Sequence, residues 1–159
     1  MNPKEYEQID FTNVNILAKK FAQSIRKIKT KLIGKLLEYE TYEVAKDEIA
    51  RTLDLLDHLD ENKEYFKERI GKVITFLPLN QPLYALTCFG IVPSLMATEV
   101  IVRHPKAMSR FFEDMMNLLC VNSHFPNLHI SSEERETFIR KHSLCKINPD
   151  TKKRISSTK

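Results

Sequence analysis

From Val73 to Thr98 the chain carries no charged residue, VITFLPLNQPLYALTCFGIVPSLMAT, and this stretch restricts the possible folds more than any other. It is long enough to span a bilayer, which takes about 20 apolar residues. It also holds Asn80, Gln81 and three prolines, Pro78, Pro82 and Pro93. Their polar atoms and freed carbonyls would be stranded in lipid. A buried strand followed by a buried helix is therefore expected, with no membrane partner.

Lys72–Leu77 is short, β-branched and apolar, and Pro78 stops it because proline cannot donate to a ladder. Gln81 to about Met96 has the length of a helix, with Pro82 tolerated in its first turn and Pro93 bending or ending it. Val100–Arg103 reads as a second strand closed by Pro105. Ala107–Cys120 reads as a helix with Met108, Phe111, Phe112, Met115, Leu118 and Leu119 inward. Asn127–Ile130 is expected as a third strand, and the Ser131 to Glu134 spacing of a capping box opens one more helix. This alternation builds a right-handed parallel sheet. Such sheets place ligands at the carboxyl ends of their strands, here Pro78–Pro82 and Arg103–Pro105.

Upstream the period is helical. Val14, Leu17, Phe21, Ile25, Ile28, Leu32 and Leu36 are spaced as one long amphipathic helix, and Ala45, Ile49, Leu53, Leu56 and Leu59 as a second. The short link makes them antiparallel, and the polar run Asp60–Glu64 ends the second. The expected fold class is α/β: an amino-terminal helical hairpin followed by an incomplete Rossmann-like parallel sheet with flanking helices. Residues 1–68 form the helical lead-in, 69–145 the partial dinucleotide-binding part, and 146–159 a basic flexible tail.

Charge narrows the partners. The net charge of +4 equals that of residues 146–159, so the body is balanced, and nucleic acid is not the expected partner. Within the body, Phe11–Leu37 has seven basic residues and no acid, whereas Glu38–Glu68 has eleven acids. Two solvated helix faces that attract each other are expected rather than a basic surface for RNA or lipid, since Phe21 is the only aromatic among the basic residues. The start, MNPKEYEQID, is polar and acidic, unlike a signal or transit peptide. Cys88, Cys120 and Cys145 form no CxxC pair, so neither a disulfide framework nor a zinc site is expected, and a reducing, cytoplasmic location is. HExxH, GxSxG, EF-hand, GxGxxG and P-loop motifs are absent, and the five histidines lack metal-ligand spacing.

Pro78-x-Asn80-x-Pro82-Leu83 after a strand, then Pro93-Ser94-Leu95-x-Ala97, then Val100-Ile101-Val102-Arg103-His104-Pro105, resembles the start of the cofactor-binding domain of the aldehyde dehydrogenase superfamily, most of all its fatty acyl-CoA reductase branch. Leu37–Thr41 and Glu48–Asp54 are similar to that family's helical lead-in, and the likeness covers about residues 15–142. The resemblance implies an oxidoreductase acting on an aldehyde or acyl thioester with NADP or NAD. It puts Asn80 where a side-chain amide steadies the oxyanion, a task that needs a preorganised donor; capping of the following helix is the competing role. Pro78, Arg103, His104 and Pro105 fall at the cofactor, with Arg103 or His104 near the adenosine ribose according to register.

The family's catalytic cysteine and glutamate lie downstream of the matched segment, and its Gly-Ser-bearing pyrophosphate turn has no counterpart here. Cys88 and Cys120 are expected to be small buried hydrophobes rather than nucleophiles. The resemblance therefore implies a truncated protein, inactive alone, that binds cofactor weakly or not at all. Its expected partners are a complementing protein chain or a second copy, and a small acyl or aldehyde substrate within such an assembly. The alternative is a non-catalytic interaction module using the charged helical face of residues 15–68.

Overall fold

A computed structural model describes residues 8–144. Cys145 and the basic tail 146–159 lie outside the described residues. Helix α1 (Phe11–Lys27) starts where Asp10 accepts from the backbone of Thr12 and Asn13 at 3.1 and 3.5 Å, relieving the unpaired first-turn donors. Helix α2 (Lys29–Leu36) continues its apolar stripe. The single helix expected over Val14–Leu36 is thus broken at Ile28, which has φ −110° and donates to the Ile25 carbonyl. No proline or glycine marks the break, yet Leu32 and Leu36 stay buried beyond it. Helix α3 (Tyr42–Asp57) is capped by Thr41 and runs into a 3-10 segment, Leu59–Tyr65, over the polar run expected to end it.

Three strands follow, β1 (Ile70–Phe76), β2 (Ala97–Arg103) and β3 (Leu128–Ser131), in the order β1-β2-β3 and all parallel. Each apolar run expected as a strand is one, although β1 and β2 begin a few residues early. The registers Val73↔Val100↔Leu128 and Phe76↔Arg103↔Ser131 bring the expected strand ends together.

The β1–β2 connection is not one helix over 81–96. It divides into α4 (Pro82–Leu86), a π turn at Thr87–Ile91, and α5 (Val92–Ser94). Pro93 has no N–H for the Phe89 carbonyl, and the segment also lies close on the sheet. A methyl group at Gly90 would stand 3.2 Å from Val102 Cγ2, 3.3 Å from Leu86 Cδ1 and 3.4 Å from Leu128 Cδ1, so the backbone here approaches β2 and β3 closely enough that a side chain would crowd them. A 3-10 turn (Lys106–Met108), α6 (Ser109–Leu118) and α7 (Val121–His124) join β2 to β3. Helix α8 (Arg135–Leu144) begins three residues later than a box from Ser131 would place it. Ser131 Oγ instead accepts from the Glu133 N–H at 3.2 Å, and the first helical bond runs from Phe138 N–H to the Glu134 carbonyl.

Alternation assigns the faces. Val100, Val102 and Leu128 are fully buried beneath the π turn. On the opposite face Ile74 and Phe76 meet Phe138 of α8, with Phe76 and Phe138 ring centroids 5.3 Å apart. One continuous apolar cluster links the lead-in to the sheet part, from Phe21, Ile25 and Ile49 to Leu86, Val102 and Phe112. The segregated charges meet at the surface: Arg26 pairs with Asp57, and Lys35 with Glu38 at 2.8 Å, while Lys35 also reaches Asp114 of α6 at 2.7 Å.

Candidate functional site

The carboxyl ends of β1 and β2 leave the sheet side by side at Phe76 and Arg103. After β1, Leu77 is buried, Pro78, Leu79 and Asn80 are exposed, and Gln81 takes a left-handed conformation, φ 50°. The Asn80 amide makes no hydrogen bond to the described residues, so it is not held as a preorganised donor. Nor does it cap α4, whose cap position is Gln81 and has no side-chain cap.

The start of α4 is closed from the lead-in. Glu48 of α3 is fully buried, and its Oε1 accepts from the Tyr84 backbone N–H at 2.7 Å. Burial first, and the Glu40 carboxyl beside it second, push the Glu48 carboxyl up to about 8. Glu48 Oε2 and both Glu40 oxygens are buried with no other donor among the described residues. With no donor to stabilise a second charge there, the Glu48 carboxyl keeps its proton. One turn on, Arg51 donates to Gln81 Oε1 at 2.7 Å and to Asp47 at 2.8 Å, and its guanidinium lies 4.6 Å from the Tyr84 ring centroid. The lead-in thus grips the loop that follows β1. Because a carboxyl already occupies the first turn of α4, no anion cradle is open there.

At the second tip Arg103 is half-buried, donates from Nε to the Glu133 carbonyl at 3.0 Å, and stands 6.0 Å from the Phe76 ring centroid. His104 is 3% exposed. Its Nδ1 donates to the Pro105 carbonyl at 2.9 Å, its Nε2 faces the Ser109 hydroxyl at 3.5 Å, and its ring stacks on Phe112. Both ring nitrogens are engaged, so of the two basic residues Arg103 presents the charge to the strand ends. Pro105 is half-buried and leads into the 3-10 turn.

A polar recess of about 470 Å³ opens beyond β2 and along β3, lined among others by His104, Ser109, Glu113, His129 and Ser132. A larger one, about 770 Å³, lies between Gln8, Phe11 and the 3-10 segment Leu59–Tyr65, away from the strand ends. The smaller recess is the better candidate because it reaches the carboxyl ends of β2 and β3 at His104 and Ser132, where parallel sheets converge their loops and backbone dipoles. Asn80, Gln81 and Arg103 do not line it and stand at the neighbouring strand tips.

Neither cysteine is placed as a nucleophile. Burial pushes the Cys88 thiol up, whereas Cys120 is exposed, contrary to the expectation of a buried hydrophobe, and has φ 51°. It stands before α7 and the start of β3, at the far end of the sheet from the strand tips. Among the described residues no cluster of three or more His, Cys, Asp or Glu could hold a metal, and no helix is long and apolar enough to cross a membrane.

Sequence reasoning missed Glu48, Arg51 and Tyr84. Glu48 left one signal: it stands between Ala45 and Ile49 on the buried side of α3, where an unpaired acid is costly. Comparison with known proteins finds no family model, no curated protein and no solved structure that matches this chain.

Proposed function

We propose that this chain is the partial nucleotide-binding region of an oxidoreductase of the aldehyde dehydrogenase and acyl-CoA reductase type, and that it does not turn over substrate alone. The observation that supports this reading is the Phe76↔Arg103 pairing, which sets the loop Pro78–Gln81 and the segment Arg103–Pro105 at one end of a parallel sheet. Arg103 supplies positive charge for a ribose or phosphate of NADP or NAD. Asn80 stands where an acyl thioester or aldehyde carbonyl would come, but the thiol and base that complete the chemistry belong to another segment or chain. With the first turn of α4 closed by Glu48, the pyrophosphate lacks its usual partner and affinity is low.

Titration of NADH and NADPH into the pure chain, read by nicotinamide fluorescence and by Tm, tests the reading. It predicts saturable binding near about 1 mM, roughly −4 kcal/mol, weakened by Arg103→Ala. No binding of either cofactor contradicts it.

A second reading has its own observation. Lys19, Lys20, Lys27, Lys29 and Lys31 are exposed and form no ion pair among the described residues, which suits a helical face that docks an acidic protein. That reading predicts no NAD(P)H affinity, and salt-sensitive partner binding that is lost when Lys27, Lys29 and Lys31 are neutralised.

A further inference from the structure

Ser24 and Ser109 each face a histidine, and the serine proton goes to a different place in each pair. Ser24 Oγ lies 3.1 Å from His124 Nε2, but the same hydroxyl donates to the Lys20 carbonyl at 3.3 Å, so its proton is turned away from the imidazole. At the carboxyl end of β2 the direction is the opposite. His104 Nδ1 lies 2.9 Å from the Pro105 carbonyl, which can only accept, so Nδ1 carries the ring proton. In the neutral ring Nε2 is then the lone-pair nitrogen, and it faces the Ser109 hydroxyl at 3.5 Å. Bonds of this kind are often long before substrate binds and tighten in the complex. The Ser109 proton is thus aimed at a base whose other nitrogen is held, the arrangement that activates a hydroxyl for nucleophilic attack.

The base is fixed by its surroundings. His104 is 3% exposed, and its ring centroid lies 5.5 Å from that of Phe112 with the planes 10° from parallel. Ser109 and Phe112 are three residues apart in α6 and so share one face of the helix. One element therefore carries both the nucleophile and the surface on which the imidazole stacks. Ser109 is half-buried and lines the recess of about 470 Å³ at the ends of β2 and β3, so its hydroxyl can be reached from solvent. Asn117 and Asn122 bring side-chain amides to the same wall, donors of the kind that steady an oxyanion. Among the described residues the charged group on that wall is Glu113, and no lysine or arginine lines it. Such a recess favours a small ester without negative charge.

We propose that Ser109 and His104 form a nucleophile and base pair that hydrolyses small uncharged esters in this recess. Ser109 Oγ bonds to the ester carbonyl carbon while its proton passes to His104 Nε2. Collapse of the tetrahedral adduct breaks the bond to the leaving alcohol oxygen, which takes that proton, and an acyl-serine ester remains. Water then attacks the acyl carbon and gives a proton to Nε2; the acid departs, and the proton returns to Ser109 Oγ. No electron is transferred and no cofactor enters. The activity is separate from the redox chemistry proposed above, so either can fail without the other.

The test gives the full chain p-nitrophenyl acetate and, separately, a fluorophosphonate, with which Ser109 Oγ forms an O–P bond as the P–F bond breaks and fluoride leaves. The expected result is release of many equivalents of p-nitrophenol per chain, lowered roughly 100-fold in Ser109→Ala, the lower end of what a positioned base contributes. Ser109 is half-buried and alanine suits a helix, so that variant keeps its far-UV spectrum. Peptide mass mapping of the native chain needs no variant and should place the phosphonate on Ser109. No release, release that stops at one equivalent, turnover that survives Ser109→Ala, or a phosphonate absent from Ser109 overturns the proposal.

Discussion

The Thr75 hydroxyl of β1 donates to the Phe89 carbonyl at 2.9 Å, across the junction of sheet and π turn. Four residues beyond Phe89 stands Pro93, which has no N–H with which to make the α-helical bond to that carbonyl. A proline that interrupts the helix thus leaves an acceptor, and the first strand takes it. Thr75→Val keeps the shape of the side chain and removes only the donor. It should cost about 0.5–1.5 kcal/mol in urea denaturation, with an unchanged m-value.

The Glu48 and Glu40 carboxyls make stability depend on pH in a stated direction. The folded chain holds the Glu48 proton up to about 8, against 4.5 for the ordinary group. The folded state therefore binds more protons across that window, so this contribution is fully present below about 4.5 and is lost as pH rises through about 8. Glu48→Gln stays neutral and can still accept from Tyr84. Thermal melts at acid, neutral and alkaline pH should show the native chain losing Tm relative to the variant, by a difference on the order of 3–5 kcal/mol between the extremes. Parallel curves would contradict the raised Glu48 carboxyl.

Two glycines should respond with opposite sign. Alanine at Gly90 must push into Val102, Leu86 and Leu128, all fully buried, and overpacking of about 1–3 kcal/mol outweighs the gain in helix propensity. In α2, a Cβ at Gly34 meets nothing within 4 Å, so Gly34→Ala should stabilise by about 0.5–1 kcal/mol. Chemical denaturation of both variants checks the pair.

Cys120 is exposed at φ 51°, where an L side chain is strained and glycine is not. Cys120→Gly should leave the fold intact and raise stability by up to about 1 kcal/mol. In the native chain a water-soluble thiol reagent should modify Cys120 before Cys88, whose thiol is raised by burial. Mass spectrometry of partially modified protein gives the order.

What could be read from the sequence was whatever local pattern decides. Val73–Phe76 and Val100–Arg103 are β-branched runs closed by Pro78 and Pro105 and adopt the strands they indicate. Their early starts were hidden because Ile70, Gly71 and Thr98 lie at exposed strand beginnings, where neither apolar content nor alternation is required. Pro93 announced a break near the end of this helix, but the close meeting of Gly90 with Val102 at the π turn is a contact between segments that no local rule contains. The Glu48–Tyr84 bond was missed for a related reason. Counting apolar residues along α3 passes over an acid on the buried side, although that acid sets the geometry of the candidate site.

The strand ends at Phe76 and Arg103 lie side by side, and the proposed function makes them one surface for a nicotinamide cofactor. Amide chemical-shift mapping of the full chain with NADPH, and with NADH for comparison, tests this most directly. The predicted result is saturable shifts concentrated at Asn80, Gln81, Arg103 and Ser132, reduced in Arg103→Ala. Shifts that are absent, or confined to the basic residues of 146–159, would contradict it.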